Sequence, residues 1–455
     1  MRAAPDRPML VEVKTSTKDP DTPARTGWGR TRIAVAALAG VLLVVALVAA
    51  VTMDDPVQDL QGPGLRSTLT LVCGVLGLSL LAAALLWPSA TKPRSLAWFS
   101  AAVSTLCVLA TVFIWVCVSV DDQLHSIPGS AVSTPAQAEK ALDEQGLARG
   151  REAIPTGVMI ETMQYTSSNN VKLTGYIWQR LPKGTETAEI DLPNAVEGGI
   201  ADEIYRDPAP GGQEVVGWKL NTTVREYFDY SHYPLDRQVV WLTLWPKHSA
   251  ENTLVPDFAA YPPWKTHDGY GVYHDLVSGD WSRQFSTFSI GHGTAHTNYG
   301  RPGLTVNNRI PQLTYSIGLN RAFLSPLLNR LVPLVVIAML VFASLFVVTK
   351  DSDRRSLSGF STWAVIGFCG SMMLVVSVQH SSLRSDTGSG GIVYAEYFYF
   401  ILYLVIGLVA LNAVEHTSDK RIRLVDWRGN SAARLLYWPV TCLLLFAVTT
   451  FVFVL

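Results

Sequence analysis

Apolar positions along this chain follow two regimes. Seven long runs, at 33–53, 67–87, 96–120, 331–349, 360–378, 392–414 and 435–455, are nearly free of charge. At 1.5 Å of rise per residue, each is long enough for a helix to cross a hydrocarbon core about 30 Å thick. Three runs precede and four follow a polar stretch, 121–320, in which the apolar period shortens to two.

Within that stretch Val158 and Ile160, then Val171, Leu173, Gly175 and Ile177, alternate with other residues across the turn formers Thr166 to Asn170. This predicts a β-hairpin. Positions 239–245 predict a further strand, and 312–319 another in which Leu313, Tyr315, Ile317 and Leu319 share one face. Only 136–149 has helical amphipathicity, and glycine and proline punctuate the remainder. The expected fold class is a membrane protein: an extracellular antiparallel β-sandwich followed by a four-helix transmembrane bundle and preceded by three additional transmembrane helices.

Composition agrees, since 49% of the 455 residues are hydrophobic and only 16% charged, too few charges for an ordinary soluble chain of this length. Lys and Arg orient the spans. They crowd the first 32 residues and the connections after the second, fourth and sixth runs, whereas the other short connections carry only Arg66 and Arg384. The expected topology therefore has the N-terminus cytoplasmic, 121–320 outside, and the C-terminus extracellular or periplasmic. The units are 1–32, a cytoplasmic segment; 33–120, a three-helix extension; 121–320, the outer domain; and 321–455, a four-helix domain. All five cysteines fall in apolar runs, so the outer domain has neither a disulfide nor a thiolate metal site.

The segment from Tyr227 to Gln238 contains Tyr233-Pro234-Leu235-Asp236-Arg237-Gln238. It resembles the aromatic-Pro-apolar-Asp-x-Gln loop of the pentameric ligand-gated ion channels, the Cys-loop receptor superfamily. The loop's two half-cystines are missing, which matches the prokaryotic branch. The run Ile310 to Arg321 is similar to the family's last strand leading into its first pore-domain helix, with Asn329 and Pro333 at the expected spacing. The hairpin ending Gly175-Tyr176-x-x-Gln179 and the pair Gly217-Trp218 also match. The resemblance covers roughly 136–455; the first three helices lie outside it, and 381–391 lacks the proline usual between the second and third pore-domain helices.

The resemblance implies a homopentameric, ligand-gated ion channel in the cell membrane, with lipid, inorganic ions, and a small-molecule ligand or protons as partners. It implies coupling through Asp236 and Arg321, supported by Tyr233, Pro234 and Gln238. The plainer reading is that Asp236 caps its own turn and Arg321 reaches toward the interface. The second of the last four spans would line the pore through Ser358, Thr362, Val365, Cys369, Met372 and Val376. A competing stripe of Leu357, Ser361, Ala364, Phe368, Ser371 and Val375 fits nearly as well. The family's capping loop would fall within 281–308, offering Phe288, His292, His296 and Tyr299 to a ligand, or else a solvated hairpin tip.

Other classes fit poorly. Six outer-domain histidines show no metal-ligand spacing, so neither a cofactor nor an enzyme is expected. No basic patch points to nucleic acid. A transporter is disfavoured because the spans show no repeat. The alternative that remains is a non-conducting receptor using the same fold.

Overall fold

The computed structural model describes residues 37–44, 74, 77, 93–120, 127–147, 150–185, 187–262, 270–277, 279–297, 308–347, 362–388, 390–417 and 430–454. Among them five helices are long and apolar enough to cross a membrane: Leu96–Ser119, Leu324–Ser344, Thr362–Thr387, Tyr394–His416 and Ser431–Phe453. The first belongs to helix α1, Pro93–Val120. The expected spans at 33–53 and 67–87 lie mostly outside the described residues, although 37–44 is helical.

Between α1 and the later helices the chain is β-rich. After strand β1, Ser130–Val132, helix α2, Pro135–Glu144, starts where Thr134 accepts the amide of Gln137 and proline occupies the first turn. The strands β2, Glu152–Tyr165, and β3, Asn170–Pro182, form the expected hairpin. The chain continues through β4, Ile190–Asp191, β5, Ala195–Ala209, β6, Gln213–Arg225, β7, Arg237–Pro246, and β8, Asn252–Pro256. It ends with β9, Val272–Val277, β10, Trp281–Ala295, and β11, Asn308–Arg321.

Two sheets result, in the orders β1-β10-β11-β7-β4 and β5-β6-β3-β2-β8. Most pairs are antiparallel, but β8 and β9 pair with β2 in parallel, so the expectation of a wholly antiparallel region is corrected. Inward residues of both sheets, among them Val158, Ile177, Leu220, Leu242 and Tyr315, share one apolar core. Thr314 and Ser316, expected on the outer face of β11, are buried as well. β11 is flanked on both edges, by β10 and β7, and every residue from Leu313 to Leu319 is buried, so side chains on both faces of this central strand are covered.

β11 passes almost directly into helix α3, Leu324–Ser344. A π-type turn over Leu327–Leu331 precedes Pro333, whose ring supplies no backbone donor, and the helix is regular from Val332. α3 begins earlier than the apolar run suggested because it includes the polar Asn329 and Arg330. Helix α4, Thr362–Thr387, likewise continues past Val378 through a polar stretch. Helices α5, Tyr394–Thr417, and α6, Ser431–Phe453, complete the described chain. Tyr437 Oη donates to the Ala338 carbonyl at 2.7 Å, and Phe342 packs on Tyr437 and Trp438, tying α6 to α3.

Candidate functional site

Strand register brings three distant side chains to one end of a sheet. Trp281 is the lateral partner of Arg321, and Asn320 pairs with Arg237, so Arg321 arrives beside Asp236 just as β11 leaves for α3. The Arg321 guanidinium grips the Asp236 carboxylate at both oxygens, Nε to Oδ1 at 2.6 Å and Nη2 to Oδ2 at 2.9 Å. Asp236 is 2% exposed. Gln238 Nε2 donates to Asp236 Oδ2 at 3.0 Å and to the Asp229 carbonyl at 2.7 Å, fixing the loop around the acid.

Aromatic faces enclose the cation. Arg321 Cζ lies 4.1 Å from the Trp281 ring centroid and 4.9 Å from that of Tyr233, and Tyr165 stacks on the far side of this cluster against Trp281. Burial alone would lower the Arg321 guanidinium, but hydrogen bonding and charge from Asp236 outweigh it and hold it above its ordinary value. The same enclosure pushes the Tyr165 and Tyr233 hydroxyls up, and that of Tyr230 to about 12.

The loop that carries Tyr233 and Pro234 docks on helix starts. Ser231 and Tyr233 carbonyls accept the backbone amides of Tyr394 and Ala395 at 2.8 and 3.1 Å, using donors that the first turn of α5 leaves free. Glu396, in that turn, takes Arg384 of α4 on both oxygens at 2.9 Å, His380 at 3.2 Å and the Val393 amide at 2.9 Å. The β2–β3 tip rests on the α4–α5 connection: a Cβ at Gly388 would come within 2.3 Å of Ser168 Oγ. Tyr230 Oη donates to the Ser168 carbonyl at 2.9 Å, and Arg330 of α3 pairs with Asp386 of α4. These groups surround a polar cavity of about 800 Å³.

Helix α1 joins the same junction, which sequence reasoning missed. Arg237 Nη2 donates to the Val118 carbonyl at 2.7 Å, and Trp115 Nε1 donates to Tyr394 Oη at 2.8 Å. Tyr394 Oη is also bonded to Thr449 Oγ1 of α6 at 2.7 Å, so α1, α5 and α6 meet at one hydroxyl. Trp115 packs edgewise on Phe323 and Phe398, and Leu235 of the loop lies against the apolar cluster that contains Ile114 and Phe446.

Glu226, one residue past β6, was also missed. It is 6% exposed and accepts the Trp241 amide at 3.0 and 3.2 Å. Burial pushes its carboxyl up to about 9, only partly offset by that hydrogen bond, so the group is protonated near neutral pH. A single Glu before an aromatic run carries no sequence signal.

Two expectations are corrected. Val365, Cys369 and Val376 are 4%, 2% and 0% exposed and pack inside the chain's own core instead of on an outward face of the helix. Thr362 and Met372 are half-buried beside them, and Ser358 lies outside the described residues. Ala364, Ser371 and Val375, of the competing stripe, are exposed, with Phe368 half-buried. Phe288 is no loop residue: it is fully buried in β10 against Tyr315, Tyr270 and Tyr261. His292 and His296 are exposed at the far end of β10 and are not brought together with Phe288, while Tyr299 lies outside the described residues. No protein-family profile matches the chain, and no curated sequence is similar to it.

Proposed function

We propose that the chain is a subunit of a homopentameric ion channel, opened when an extracellular signal moves a β-sandwich against a four-helix pore bundle. The observation that carries this reading is the buried Asp236–Arg321 pair, placed where the last strand becomes the first helix of the bundle. A charge pair enclosed by aromatic rings keeps its geometry, so a displacement of β7 or β10 is passed to α3 instead of being absorbed by a flexible link.

The loop contacts on α5 and the tip contact on the α4–α5 connection give the same displacement two further exits. In the assembly the exposed face of α4 carrying Ala364, Ser371 and Val375 lines the axis, and small side chains along it leave room for water and ions. The apolar outer surfaces of α1 and α5 face lipid. Helix α1 adds a wall to the pore-domain architecture and ties it to the coupling loop through Arg237 and Trp115.

Assembly is the first test. Mass photometry or native mass spectrometry of the purified chain in detergent should give five times its 49.7 kDa mass, and class averages a five-fold ring. Monomers and dimers alone overturn the proposal.

A further inference from the structure

At the end of the helices opposite the sheets, α1, α3 and α6 leave a groove of about 480 Å³ between them. Its floor on α1 runs from Leu96 to Thr105 over small residues such as Ala97 and Ala101. That is roughly 14 Å of helix, about half the thickness of a hydrocarbon core and so the depth of one leaflet. Two hydroxyls in the wall are already used: Ser100 Oγ donates to the Leu435 carbonyl at 2.7 Å and Ser104 Oγ to the Ser100 carbonyl at 2.8 Å. Most of what remains for an occupant is hydrocarbon, closed on the α3 side by Phe342 and Phe346.

Arg434 stands in this apolar setting, one turn into α6. Its Nε donates to the Leu345 carbonyl at 3.2 Å and its guanidinium lies 4.7 Å from the Phe346 ring centroid. Among the described residues no carboxylate pairs with it, in contrast to Arg321, Arg330 and Arg384. A guanidinium has five N–H donors in a planar fork that fits phosphate oxygens two at a time, so the donors on Nη1 and Nη2, which no described residue takes, are suited to a phosphodiester. An uncompensated cation beside apolar helix surface is costly unless an anion meets it.

We infer that this groove is a binding site for a phospholipid with an anionic headgroup, one acyl chain lying on α1 and the phosphate held by Arg434. The lipid's charge is selected for two reasons. A zwitterionic headgroup brings its own cation next to the guanidinium. The nearby connections at 88–95, 348–361 and 418–430 also carry more Lys and Arg than Asp and Glu. The same excess argues against another protein segment of this chain as the source of the missing anion.

The test uses the purified full chain in detergent, titrated with phosphatidylglycerol or phosphatidylcholine and read by native mass spectrometry, so it does not depend on whether the protein conducts. Wild type should retain phosphatidylglycerol in preference to phosphatidylcholine. Arg434→Gln should weaken phosphatidylglycerol retention roughly five-fold and leave phosphatidylcholine unchanged, with Arg434→Lys keeping part of the preference. Ala101→Trp, which fills the groove from the exposed side of α1 while leaving the arginine in place, should displace the lipid in protein that elutes at the wild-type volume. Equal retention of the two lipids by wild type, an unchanged preference in Arg434→Gln, or full retention in Ala101→Trp each overturns the site. The last result would mean that lipid binds elsewhere or that another helix fills the groove.

Discussion

Replacing Asp236 by Asn removes a charge that is 2% exposed. Arg321, 13% exposed at its side chain, would remain between Trp281 and Tyr233 with no counter-ion. Breaking a buried pair in this way costs about 3–5 kcal/mol, because the surviving charge stays desolvated. Asn retains an acceptor oxygen for one of the two Arg321 bonds, which places the expected loss near the lower end, about 3 kcal/mol. Arg321→Gln should cost a similar amount by leaving the carboxylate with Gln238 alone. The double variant removes both charges, so its loss should fall short of the sum by about 1–3 kcal/mol, the range seen for residues in contact. Chemical or thermal unfolding of the purified chain measures the stability cycle, and the same four proteins in a functional recording measure the coupling cycle. Additivity within about 0.5 kcal/mol in both would refute the claim that the pair acts as a unit.

Glu226 predicts a pH effect: its native carboxyl keeps a proton to about pH 9, whereas an ordinary carboxyl loses it near 4.5. Between those values the unfolded state binds fewer protons, so stability should fall as pH rises, by up to about 1.4 kcal/mol per unit, and Glu226→Gln should flatten that slope. Melting temperatures from pH 5 to pH 8 check it, and an equal slope in the variant would contradict it. Trp115→Phe keeps the ring but removes its bond to Tyr394, and should cost about 1 kcal/mol in stability; no change in melting would mean that α1 is only loosely held. Gly175→Ala should destabilise by about 2 kcal/mol or more, since a Cβ there would sit 1.9 Å from the Met159 carbonyl oxygen; a wild-type melting temperature would contradict that close approach.

The strands that could be read in the sequence were those with regular alternation or flanking turn formers. The β2–β3 hairpin is where alternation and the turn formers at 166–169 placed it, whereas the Asp236–Arg321 pair was legible only through the resemblance of the two segments that carry it to a known family. β5 was not legible: it is an edge strand, mostly exposed and interrupted by register shifts, so no period marks it. The glycines at 291 and 293 suggested a loop, yet both lie within β10, where Gly293 accommodates the Trp245 ring. The buried side of α4 was illegible for a different reason. In a helix apolar on nearly every side, composition does not reveal which residues face protein and which face outward, and packing against the chain's own core takes Val365, Cys369 and Val376. The docking of α1 on this junction escaped notice because its partners, Arg237 and Tyr394, are far away in sequence.

Conduction is the central claim, and a planar bilayer containing only the purified full-length chain addresses it most directly. The account predicts discrete unitary currents, which a charged thiol reagent should block once Ala364→Cys or Val375→Cys is introduced on the exposed face of α4. Native Cys369, buried in the core, should not confer that block. Protein that forms five-fold rings yet passes no current under any extracellular condition would contradict the channel reading and leave a non-conducting receptor in its place.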